Sequence, residues 1–89
     1  MLNAETVRTL NRLIYPVIYE PDPLRHVDWV VRTVVNGSGV SPDQALSAVA
    51  EALASHGWVE QIASRGDHSE VALKSFLMAV GKRMSPPQD

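Results

Sequence analysis

Cysteine is absent from the 89 residues. That excludes disulfides, thiolate metal sites and a cysteine nucleophile, and it fits a reducing compartment. Aromatic side chains are scarce, with two Trp, two Tyr and one Phe, so the core is expected to be aliphatic. No excess of positive charge exists either. Eight Lys and Arg stand against ten Asp and Glu, a formal net charge of −2. That balance gives no bulk attraction to DNA or to an anionic membrane. No apolar run approaches the ~18 residues that suggest a spanning helix. Met1-Leu2-Asn3-Ala4-Glu5 lacks a basic n-region and an apolar h-region, so no signal peptide is expected and the cytoplasm is the expected location.

What is present is an ordinary globular balance, 45% hydrophobic and 20% charged. Its helix punctuation is dense. Asn3 is placed to cap a helix from Ala4, and Val7, Leu10, Leu13, Ile14 and Val17 share one face. Pro16 is expected to end that helix near Ile14. Tyr15 to Asp22 follow as a connector whose two tyrosines are expected to bury their rings and keep the hydroxyls wet. Asp22-Pro23 reads as N-cap and N1 of a second helix, with Leu24, Val27, Val31, Val34 and Val35 inward and Arg25, Asp28 and Arg32 outward. Its paired valines also have strand propensity. Asn36-Gly37-Ser38-Gly39 stops it.

Ser41-Pro42-Asp43-Gln44 is a capping box opening an alanine-rich helix that runs to His56, with Leu46, Val49 and Leu53 buried and Gly57 as the stop. Trp58, Val59, Ile62 and Ala63 fit a short helix closed by Ser64-Arg65-Gly66. Asp67 and Glu70 read as a second capping box, before the stripe Leu73, Phe76, Leu77, Val80 and Met84. Gly81 is expected to loosen the last turn. The expected architecture is one all-α domain over 1–84, a compact bundle of four to five helices, with 85–89 as a disordered tail.

Candidate chemistry gives way to simpler readings. His26, His56 and His68 are not spaced to share a helix face, and are expected at helix ends, His56 on the dipole and the others solvated. Gly37-Ser38-Gly39 lacks the lysine of a phosphate loop, and Arg65-Gly66-Asp67 is stop-then-cap chemistry. No elbow surrounds a serine, so no enzyme, cofactor, metal or small-molecule substrate is expected. The helix from Ser41 carries Asp43 and Glu51 and no Lys or Arg, which disfavours it as a DNA-reading helix.

The charges are segregated. Arg8, Arg12, Arg25 and Arg32 fall in the first two helices, whereas 36–64 hold no Lys or Arg and include Asp43, Glu51 and Glu60. The residues assign one surface to the four arginines and another to the three acids, a pattern suited to head-to-tail association. The stretch from Ala48 through Ala52-Leu53-Ala54-Ser55-His56-Gly57-Trp58-Val59-Glu60-Gln61-Ile62-Ala63, with Leu73-Lys74-Ser75-Phe76-Leu77, resembles the C-terminal half of bacterial effector-associated domains. That resemblance implies a death-fold-like helical adaptor in conflict and signalling systems, binding its own kind or a related domain without catalysis. The expected function is therefore a protein–protein interaction module. A small immunity or antitoxin-type inhibitor, with helix 41–56 covering a basic toxin site, is the alternative, and a DNA-binding regulator the third.

Overall fold

The computed structural model describes residues 2–35 and 40–84. Helix α1 spans Ala4–Ile14, and the Asn3 side chain accepts from the Thr6 amide at 2.8 Å, as the sequence requires of its cap. Leu10, Leu13, Ile14 and Val17 are buried and Val7 partly so. A single 3₁₀ turn, Tyr15–Val17, takes up Pro16, whose ring forbids further α-helix. The expected burial of the tyrosines is corrected: Tyr15 is 67% exposed and Tyr19 91%.

The valine-rich segment is helical, but its pitch changes twice. A 3₁₀ turn, Pro23–His26, leads into the short α2, Val27–Val30, and then a π-helical turn, Val31–Val35. Regular α-helix crowds β-branched side chains at χ1, and four of these last five residues are Val or Thr. Val30, Val31, Val34 and Val35 face the core, with Arg25, Asp28 and Arg32 outward as expected. Leu24, expected inside, is 50% exposed, and Asp22 occupies the N-cap position without a side-chain hydrogen bond. The expected stop at 36–39 and the tail at 85–89 lie outside the described residues.

Helix α3, Pro42–Ala54, opens with both bonds of the capping box, Ser41 Oγ from Gln44 N at 3.1 Å and Gln44 Oε1 from Ser41 N at 3.1 Å. It ends two residues before His56. Its deepest face is built from Ala45, Ala48, Val49 and Ala52 rather than from Leu46 and Leu53, which are only half-buried. The methyl-sized side chains let α3 sit against both α1 and α4, the two largest helix contacts of the bundle. Helix α4, Glu70–Met84, buries Leu73, Phe76, Leu77 and Val80, and it continues through Gly81 without a break. A Cβ at Gly81 would stand 3.3 Å from Val49 Cγ1, so the missing side chain allows the α3–α4 approach.

The segment between α3 and α4 is pinned by polar contacts. Trp58 is fully buried and its indole Nε1 donates to the Ala52 carbonyl at 2.8 Å. An indole removes about 200 Å² from water, worth ~5 kcal/mol gross. Two 3₁₀ turns follow, Val59–Gln61 and Ala63–Arg65. The expected Asp67 cap does not form. Ser69 caps α4 instead, through Oγ to the Ala72 amide at 3.1 Å. Glu70 turns back instead of capping its own helix. Its carboxylate accepts from the amides of Gly57, Trp58 and Val59 at 3.1, 2.8 and 3.1 Å, satisfying donors that a helical start leaves orphaned. The Cα radius of gyration, 11.8 Å, matches the ~12 Å of a compact chain this long.

Candidate functional site

The seven singled-out charges occupy several edges of the bundle. Arg8 and Arg12 stand one turn apart on the exposed side of α1. Together they border two depressions. One is an open cavity of about 510 Å³ shared with Tyr15 and Ser64, and the other lies beside Glu5 and Gln44. Arg32 lines a different depression, with Asp28, Arg83 and Met84. Arg25 is exposed on the Pro23–His26 turn and lines none of these. Of the four arginines, the fold thus groups the first two.

The acids divide in the same way. Asp43 is exposed at the start of α3 and lines a depression with Asn3, Glu5 and Ser47. Glu51 is half-buried two turns further on. Its Oε1 accepts from Asn3 Nδ2 at 3.3 Å, while Oε2 is buried with no hydrogen-bond partner among the described residues. Glu60 stands apart on the Val59–Gln61 turn, exposed, with its main-chain carbonyl taken by Arg65 Nη1 at 3.2 Å.

Ion pairing inside the fold uses other residues. Among the described residues the pairs are His26–Glu20 at 3.0 Å, Lys74–Glu70 at 4.0 Å and Arg83–Asp28. Arg8, Arg12, Asp43 and Glu60 belong to none of them. The Gly57 amide, chief among the donors it holds, draws the Glu70 carboxyl below its ordinary range; burial opposes this, and the Val59 and Trp58 amides and Lys74 add to it. That perturbation is accounted for by capping, so it marks a joint of the fold.

Of the histidines, His68 departs from the solvated position that the sequence suggested. His26 keeps 40% of its side chain exposed at the end of the Pro23–His26 turn, and His56 is exposed two residues past α3. His68 Nε2 lies 2.8 Å from the Val17 carbonyl and donates to it, and His56 Nδ1 is 3.1 Å from Lys74 Nζ. Among the described residues no group of three His, Cys, Asp or Glu could hold a metal ion. No described helix is long and apolar enough to cross a membrane. Comparison with protein-family models, curated proteins and solved structures finds no match to this chain.

Sequence reasoning missed the partners of Arg8 and Arg12 around the 510 Å³ cavity: Asn11, Tyr15 and Ser64. A signal for Tyr15 was present. Arg8, Asn11, Arg12 and Tyr15 follow the 3, 4, 7 spacing of one helix face, which reaches Tyr15 just before Pro16. Ser64 carries no such mark, because its amide reaches α1 only through the fold, donating to Asn11 Oδ1 at 3.0 Å.

Proposed function

We propose that the chain is a protein–protein interaction module of the adaptor type, associating with copies of itself or with a related helical domain in bacterial conflict or signalling systems. The observation that carries this reading is a set of opposite charges that have no ion-pair partner among the described residues. Arg8 and Arg12 lie on α1, and Asp43 lies at the head of α3. A basic edge on one copy and an acidic edge on the next make a heterologous contact, which extends unless its rotation closes. The likeness of 48–77 to effector-associated domains supports the same assignment.

The test is a light-scattering concentration series on the parent, on Arg12→Glu and on Asp43→Lys. Asp43 is the better acidic probe, because Glu51 is engaged with Asn3. Each reversal is expected to weaken association about tenfold, since an exposed pair is worth up to ~1 kcal/mol and reversal adds repulsion. In an equimolar mixture both contacts between unlike chains pair opposite charges, the native Arg12–Asp43 contact and its swapped counterpart between the two substituted positions, so association should recover toward that of the parent. Variants that associate like the parent refute the two-edge reading. A strictly monomeric parent would favour the toxin-inhibitor alternative.

A further inference from the structure

We infer that the cavity beside Tyr15 is a binding site for an acidic peptide segment of a partner protein, one carrying a bulky apolar side chain next to its carboxylates. The inference rests on the interaction-module reading and adds the chemistry of the partner. The cavity, about 510 Å³, falls in the ~300–1,000 Å³ range of ligand sites. Its charged groups are both donors. Arg8 and Arg12 supply two guanidiniums with no acidic partner among the described residues. Asn11 is oriented by its bond from the Ser64 amide: its Oδ1 is used, which leaves the NH₂ free to donate. No carboxylate lines the cavity.

The remaining walls are apolar, from Pro16, Val34 and the ring of Tyr15. Tyr15 keeps 67% of its surface in water, a large exposed area for an aromatic next to two arginines. Tyr and Arg around a concave centre are the residue types that dominate protein binding hot spots. Donors with an aromatic wall call for an anion borne on an apolar body. A nucleic acid strand fits less well. Glu5 stands in the neighbouring depression with Arg8 and Arg12, and a phosphate chain continuing past the two arginines would meet it. A short peptide with one or two carboxylates would not.

The experiment titrates the full 89-residue chain, ¹⁵N-labelled, with acetyl-Glu-Phe-Glu-amide, acetyl-Lys-Phe-Lys-amide and an eight-base oligothymidylate. Saturable shifts centred on Asn11, Tyr15 and Ser64 are expected with the acidic peptide, weakening in about 0.5 M salt. The Arg8→Gln/Arg12→Gln variant and, separately, Tyr15→Ala should each lose about tenfold in affinity with unchanged circular dichroism, since all three side chains are exposed. Absence of saturation, equal binding of the basic peptide, tighter binding of the oligothymidylate, or variants that bind like the parent would each overturn the site. Tyr15→Ala separates this inference from the reading it rests on, because it leaves every charge in place. Peptide affinity that survives Tyr15→Ala removes the site even if self-association persists. Peptide binding by a monomer that never self-associates keeps the site and removes the homotypic contact.

Discussion

Replacing Gly66 by Ala should be the most damaging single-methyl change in this protein. Gly66 sits at φ +58°, ψ −130°, a combination essentially closed to residues with a Cβ. The added carbon would also run into the main-chain carbonyl of Ile18, which cannot swing aside as a side-chain end could. The backbone strain alone costs about 1–3 kcal/mol. Relieving the clash means lifting the segment around Gly66 off the connector. That threatens the Ser64–Asn11 and His68–Val17 bonds, each worth ~1 kcal/mol. The expected loss is therefore about 3–5 kcal/mol, against a total of ~4–13 kcal/mol for a domain of this size. Differential scanning calorimetry should show a fall of roughly 15–30 °C in Tm. Gly57→Ala is the control. Gly57 also has a positive φ, +75°, but nothing lies within 4 Å of its Cβ position. It should cost only ~1–2 kcal/mol, or roughly 5–10 °C. Equal losses at the two glycines would refute the argument from Ile18.

Three further outcomes are expected. Glu70→Gln should melt below the parent at neutral pH. The folded-state pKa of Glu70 lies below its ordinary 4.5, so its contribution is complete above that pH and is lost as pH falls through the depressed value; parent and variant melting curves should converge in acid. Ala52→Leu should cost about 1–3 kcal/mol in urea denaturation by overpacking a fully buried site, while Ala50→Leu, exposed on the same helix, should stay within ~0.5 kcal/mol of the parent. Gly81→Ala offers up to ~1 kcal/mol of helix propensity but meets Val49 Cγ1, so it should be near neutral alone and stabilising in a Val49→Ala background; a double-mutant cycle that shows no coupling would contradict that contact.

The parts of the fold legible in the sequence are those set by local chemistry. Asn3 and the Ser41–Gln44 box announce helix starts because a side-chain oxygen three residues from an orphan amide has little else to satisfy. Pro16 ends α1 for an equally local reason. What stayed hidden depends on contacts distant in sequence. Asp67 and Glu70 had the spacing of a cap, yet Ser69 took the role because Glu70 found three amides more than ten residues away. The alanines outrank the leucines of α3 in burial because two helices close on that face, which periodicity alone does not reveal. The charged surfaces show the same division. Residue type and helix spacing paired Arg8 with Arg12, but only the packing of the bundle separates them from Arg32 and ties Glu51 to Asn3.

The pairing of Leu2 with Gln61 has a consequence for hydrogen exchange. Leu2 is 5% exposed, and its backbone is matched on both sides by one amide side chain: the Leu2 N–H donates to Gln61 Oε1 at 3.2 Å, and Gln61 Nε2 donates to the Leu2 carbonyl at 3.4 Å. Backbone outside helices normally exchanges quickly with solvent, and Leu2 precedes α1 without belonging to any element. Here the Leu2 amide should be slow, and its protection should track the docking of the Val59–Gln61 turn rather than the integrity of α1. A single probe ahead of α1 thus reports on a joint formed 59 residues away.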